Sequence, residues 1–181
     1  MYAKSEIALG EIDQAISAWQ QWLKAHPVDP RAMELLGSLE EIKGNQAMAM
    51  DYYKKTLQFD PNSAVASNNL AYLMVQSGEN ADVALTLAQT ARRGMPDAPE
   101  TADTLAWVYY YKSNYTGARD LLEDALKTHP NDASMQLHLG LTDSKLDDKA
   151  NAELHLKKAV SLVPANSKIA LDANDALEHL K

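Results

Sequence analysis

The spacing of the prolines limits this chain more than any other feature. Pro27, Pro61, Pro96, Pro130 and Pro164 follow one another at intervals of 34, 35, 34 and 34 residues, and Pro30 and Pro99 each lie three residues after a member of that series. Proline lacks a backbone N–H and clashes with the preceding helical turn, so these residues mark breaks. Between successive breaks there is room for two helices and a turn. Gly10, Gly44 and Gly78 recur every 34 residues, midway between prolines, and Ser113 and Asp147 hold the same place in the last two units. All five positions, Gly10 included, are predicted to be turns.

The apolar residues between breaks have helical spacing. In the fourth unit Leu105, Val108 and Tyr109 fall on the first helix, and Ala118, Leu121, Leu122, Ala125 and Leu126 on the second. Two series of small residues run in phase with the breaks: Ala3, Gly37, Ala71, Ala106 and Gly140, then Ala15, Ala49, Ala84, Ala118 and Ala152. Helices approach closely only where side chains are small, so the paired series imply antiparallel hairpins. An extra residue near Ala81 accounts for the single longer interval. The expected architecture is all-α, with units at 1–29 (incomplete at its start), 30–63, 64–98, 99–132 and 133–166. Residues 167–181 form a last helix with an apolar stripe of Ile169, Ala173, Ala176, Leu177 and Leu180. Lys168, Asp172, Asp175, Glu178 and Lys181 fall largely elsewhere, which suits a terminal cap.

Asn69-Leu70-Ala71-Tyr72 and Leu105-Ala106-Trp107-Val108-Tyr109, closed by Pro96 and Pro130, carry a resemblance to the tetratricopeptide repeat (TPR) family that extends over residues 1–166. The resemblance implies a right-handed α-solenoid whose concave wall, lined by the first helix of each unit, receives another protein. Some residues depart from the family pattern. Trp22 and Thr56 replace the small residue usual late in the second helix, which Ala91, Ala125 and Ala159 keep, and Trp19-Trp22 is expected to wedge the first hairpin. Unit one opens inside its first helix, so the expectation is a fragment of a longer array. Asn68 to Pro130 also resembles repeats of long bacterial TPR proteins, some tied to envelope or exopolysaccharide export, leaving bacterial cytoplasm and cell envelope both open.

Carried over by phase, the groove-facing candidates are Glu34, Ser38 and Glu41 with Arg31 in the second unit, and Asn68, Tyr72 and Gln76 with Val75 in the third. The fourth supplies Glu100, Asp103, Trp107, Tyr110 and Tyr111, and the fifth Leu141 with Leu137, Ser144 and Lys145. Tyr and Trp bury large area at low entropy cost and dominate binding hot spots. Carboxylates beside them favour a partner segment carrying Lys or Arg. The plainer reading stands beside this one: aromatics at helical spacing also fill cores, and acidic residues also make a solvated face. Trp107→Ala is expected to weaken binding while leaving helicity intact. TPR proteins that grip a terminal carboxylate use Lys and Asn where this chain has Glu34 and Ser38, Asn68 and Tyr72, Asp103 and Trp107, so that mode is not expected.

Other functions have little support. A net charge of −8, from 17 Lys+Arg against 25 Asp+Glu, with no basic run longer than two residues, opposes binding to nucleic acid or an anionic membrane. No apolar stretch is long enough to span a bilayer. Cysteine is absent. His26 and His129 precede repeat-ending prolines, no histidine pair has metal-ligand spacing, and neither a nucleophile elbow nor a phosphate-cradling glycine loop occurs. Hence no cofactor, metal or catalytic residue is expected. The sequence points to a protein–protein interaction module, an adaptor or assembly factor. The alternative is a scaffold that self-assembles through its amino end, near Tyr2, Ile7, Trp19 and Trp22.

Overall fold

The computed structural model describes residues 2–180, with side chains from Gly10 to Leu180. Ala3, Tyr2 and Ile7 therefore lie outside the described side chains. The described residues form helices and no strand: α1 (Tyr2–Ala25), α2 (Pro30–Ile42), α3 (Gln46–Phe59), α4 (Ala64–Gln76), α5 (Ala81–Gly94), α6 (Pro99–Tyr111), α7 (Tyr115–Thr128), α8 (Ala133–Lys145), α9 (Lys149–Leu162) and α10 (Lys168–His179).

Local chemistry sets the breaks. The Asp29 side chain accepts from the Ala32 N–H, and Pro30 occupies the first turn, where no donor is needed. Ser63, Asp132, Asp148 and Ser167 cap α4, α8, α9 and α10 in the same way. The turns inside hairpins are left-handed, with φ of 86° at Gly44, 72° at Gly78 and 60° at both Ser113 and Asp147. After each, an amide reaches back to a carbonyl in the last turn of the helix: Asn45 to Glu40, Glu79 to Met74, Asn114 to Tyr109 and Asp148 to Asp143. Glycine enters this conformation freely, whereas Ser113 and Asp147 hold it against a Cβ clash.

The first unit departs from expectation. α1 runs unbroken through Gly10, so no turn forms there and no hairpin precedes α2. A glycine lowers helix propensity by about 1 kcal/mol but does not by itself reverse a chain. Trp22 does not wedge a hairpin either. It is half-exposed, stacks on His26 with ring centroids 3.9 Å apart, and donates its Nε1–H to Asp29 Oδ2 at 2.8 Å, latching the corner between α1 and α2.

The hairpins α2–α3, α4–α5, α6–α7 and α8–α9 close on the small residues. Ala49, Ala71, Ala84, Ala106, Ala118 and Ala152 are fully buried. At Gly37 a Cβ would stand 2.6 Å from Tyr53 Cε1, and at Gly140 2.7 Å from Leu156 Cγ, so a larger residue at either position requires its neighbour to shift. Leu36, Leu122, Leu139 and Leu156 fill the interior, each stabilising by about 1.5–3 kcal/mol.

Between hairpins the first helices touch in a row, α2 to α4, α4 to α6, α6 to α8 and α8 to α10, whereas α3, α5, α7 and α9 do not meet one another among the described residues. A stack joined along one row and splayed along the other must curve, and the joined row forms its concave wall. The chain is an α-solenoid. α10 buries Ala170 and Ala173 and packs on the Leu137, Leu156 and Ala159 cluster. It thus covers the last hairpin and extends the inner row by one helix.

Candidate partner-binding groove

Two neighbouring cavities open on the concave wall. The larger, about 370 Å³, has walls from four successive inner helices: Tyr72 and Gln76 of α4, Trp107 and Tyr111 of α6, Leu137, His138 and Leu141 of α8, and Lys168, Ile169 and Asp172 of α10. The smaller, about 210 Å³, is lined by Asn68, Asn69 and Tyr72 of α4, Glu100, Asp103 and Thr104 of α6, and Asp132 and Ser134 at the start of α8. Tyr72 and Ser134 border both.

Trp107 is the centre of this wall and is only 8% exposed. Its ring is stacked between Tyr110, with centroids 4.7 Å apart, and His138, 3.9 Å apart, with Tyr111 edge-on at 5.2 Å. Asp103 orients the imidazole: Nδ1–H of His138 donates to its Oδ1 at 2.7 Å, and the Ser134 hydroxyl donates to its Oδ2 at 2.8 Å. The Trp107 indole N–H and Asn68 Oδ1 are buried without a partner among the described residues. Burial, reinforced by the charge of Asp103, pushes the Tyr72 hydroxyl up to about 12, so it stays a neutral phenol.

Of the residues read from sequence, Tyr72, Gln76, Trp107, Tyr111 and Leu141 line the larger cavity, and Asn68, Glu100 and Asp103 join Tyr72 around the smaller. Glu34, Ser38 and Glu41 line neither cavity. Ser63 donates to Glu34 Oε2 at 2.6 Å, the Ser38 hydroxyl bonds the Glu34 carbonyl, and the Tyr53 hydroxyl donates to Glu41 Oε2 at 2.9 Å, so they tie α2 to α3 and α4. Tyr110 turns away as well and packs against Tyr115 of α7. His138, Ser134, Lys168 and Asp172 were not anticipated. The available signal was phase: His138 and Asp172 stand one repeat after Thr104 and His138 respectively, on the same inner row.

The family model described as "Tetratricopeptide repeat" matches residues 1–64 and 104–167, more than half of the chain. The chain belongs to the tetratricopeptide repeat family. A curated relative, "TPR repeat-containing protein PA4667" of Pseudomonas aeruginosa, is 27% identical over 143 residues, covering 77% of this chain and 24% of the relative. The chain thus spans about a quarter of that protein's length. Among solved structures, "MamA 41-end from Desulfovibrio magneticus RS-1" superposes with a TM-score of 0.71 at 19% identity, over 89% of this chain and 90% of the other. "YrrB: a TPR protein with an unusual peptide-binding site" gives 0.69 at 18%, over 96% and 89%. At these identities the structural likeness speaks for the fold alone. Membership makes the chain a TPR-type protein-interaction repeat module.

Proposed function

We propose that this TPR array holds a segment of another protein along its concave wall, as an adaptor or assembly factor, and that the segment offers apolar and basic side chains. The observation that carries the reading is the larger cavity, where Tyr72, Tyr111, Leu137, Leu141 and Ile169 come from four separate helices to form one amphipathic recess. Ligand sites are concave and mostly apolar, with a few polar groups that fix orientation. YrrB, a TPR protein with a peptide-binding site, supports the same use of the fold. The acidic balance of −8 favours a basic partner and speeds its approach. Isothermal titration of a partner recovered by crosslinking tests this. Tyr111→Ala, at an exposed position on the cavity rim, is expected to weaken binding about tenfold or more, and unchanged affinity removes the groove as the site.

A second reading, self-assembly through the amino-terminal end, has one observation in its favour. Leu35 and Ile42, two helical turns apart on α2, are 44% and 67% exposed, and Val28, before that helix, is exposed as well. Exposed apolar residues that gather into a patch tend to find a partner. Sedimentation velocity over a hundredfold concentration range separates the readings, since a strict monomer eliminates self-assembly.

A further inference from the structure

Beside the amphipathic cavity the structure carries a second recess, set apart by its carboxylates. The smaller cavity presents three carboxylates, Glu100, Asp103 and Asp132, and among the described residues no Lys or Arg lines it. Like charges gathered without a counter-ion repel one another and raise the free energy of the unoccupied site. The carboxylates have separate structural loads: Asp132 caps α8 through the Met135 N–H, and Asp103 accepts from Ser134 and His138. Glu100 has no ion pair or hydrogen bond among the described residues and stands exposed at the mouth.

A second observation points at a ligand. Asn68 lines the same cavity, is only 8% exposed, and its side-chain Oδ1 has no hydrogen-bond partner among the described residues, although its Nδ2–H donates to Asn69 Oδ1 at 3.2 Å. A buried acceptor left unpaired is costly, by about 1–3 kcal/mol as a general figure. The atom is closed to solvent, so a donor that enters the cavity and displaces its cover relieves that loss and at the same time neutralises the carboxylates around it. The neutral Tyr72 phenol borders the recess, and an aromatic ring there suits a flat cation.

We infer that this recess is a guanidinium subsite, taking one arginine side chain of the partner segment while an apolar side chain of the same segment enters the adjoining cavity. This rests on the groove reading proposed above and assigns the chemistry of one of its positions. Arginine is favoured over lysine on geometry. A guanidinium carries five N–H donors in a planar fork, and this cavity spreads its acceptors over three helices: Asn68 Oδ1 on α4, Glu100 and Asp103 on α6, and Asp132 at the start of α8. A lysine ammonium is a compact point charge that reaches fewer of them. Tyr72 and Ser134 border both cavities, so the two side chains lie close along the segment.

The test pans a phage-displayed library of random dodecapeptides on the intact chain, on Glu100→Gln and on Tyr111→Ala. The best binder is then synthesised with its arginine and with citrulline, a neutral isostere, in its place. The expected result is enrichment of an arginine at fixed offset from an apolar residue on the intact chain. The citrulline peptide is expected to bind roughly tenfold more weakly, in line with loss of charge-assisted hydrogen bonds. Glu100→Gln should shrink that discrimination while keeping the apolar preference, and Tyr111→Ala should do the reverse. Apolar peptides selected without arginine, or lysine serving equally well, overturn the guanidinium subsite and leave the groove reading standing. No selected peptide sensitive to Tyr111→Ala overturns both.

Discussion

His138 Nδ1 lies 2.7 Å from Asp103 Oδ1, a bond between residues of successive repeats that joins α6 to α8 across the concave wall. It also fixes the imidazole face on Trp107, with ring centroids 3.9 Å apart and planes within 15°. A single side chain thus supplies a charge-assisted hydrogen bond and one slice of an aromatic stack. His138→Ala is expected to destabilise by about 3 kcal/mol, because it strips a donor from a buried carboxylate and uncovers the indole. His138→Phe, which keeps the stack and loses only the bond, should fall between. Urea unfolding of the two variants measures both, and equal losses would show that stacking contributes nothing.

Trp107 was read from sequence as an anchor whose truncation leaves helicity intact, and its burial adds an expected cost in stability. At 8% exposure, stacked on both faces, Trp107→Ala opens a cavity and is expected to destabilise by about 3–5 kcal/mol. It therefore cannot serve as a binding probe on its own. Tyr111, 46% exposed, is the better one. Its alanine variant should unfold within about 1 kcal/mol of the intact chain. Thermal melts of the pair decide this, and near-identical midpoints for Trp107→Ala and the intact chain would contradict the core role.

The proline and glycine punctuation made the hairpins legible because each break is local chemistry: a cap, a proline at a first turn, a left-handed residue after a last turn. It failed at Gly10, where the same residue type lies inside α1, because glycine permits a turn without requiring one. The inner row was legible through phase, since one repeat returns a residue to the same wall. The burial of Trp107 was not legible, for it depends on His138 and Tyr110 arriving on opposite faces of the ring. Nor was the role of α10. Its stripe of Ile169, Ala173 and Leu177 announces a cap, but that Lys168 and Asp172 thereby enter the groove follows from three-dimensional placement.

The glycines of the small series test how tightly a hairpin is set. In an open helix Gly→Ala stabilises by about 1 kcal/mol. At Gly37 the added Cβ would meet Tyr53 Cε1 at 2.6 Å, and the Tyr53 ring is fully buried and held by hydrogen bonds to Glu41 and Asn69. Gly37→Ala is therefore expected to destabilise by about 1–3 kcal/mol. Adding Tyr53→Leu to Gly37→Ala should recover part of the loss relative to the sum of the single variants. A double-mutant cycle by chemical denaturation reads the coupling, and simple additivity would place the clash elsewhere.

Burial makes one carboxylate a stability switch. Asp143 is fully buried, and desolvation pushes it up to about 6 despite Arg119, whose Nε lies 2.8 Å from Oδ1. In the unfolded chain the same group titrates near 3.8. The folded state therefore holds the proton more tightly, and its contribution to stability is full below 3.8, declines as pH rises through about 6, and is flat above. Nearby, His155 is held below its usual value by burial, so its contribution runs the other way and is lost as pH falls. Asp143→Asn removes the first effect and leaves the second. Unfolding free energies of the two chains measured from pH 4 to 7 should diverge, with the intact chain losing ground to Asp143→Asn as pH rises towards 6. Parallel curves would mean that Arg119 holds Asp143 ionised throughout, in which case Arg119→Gln should restore the divergence.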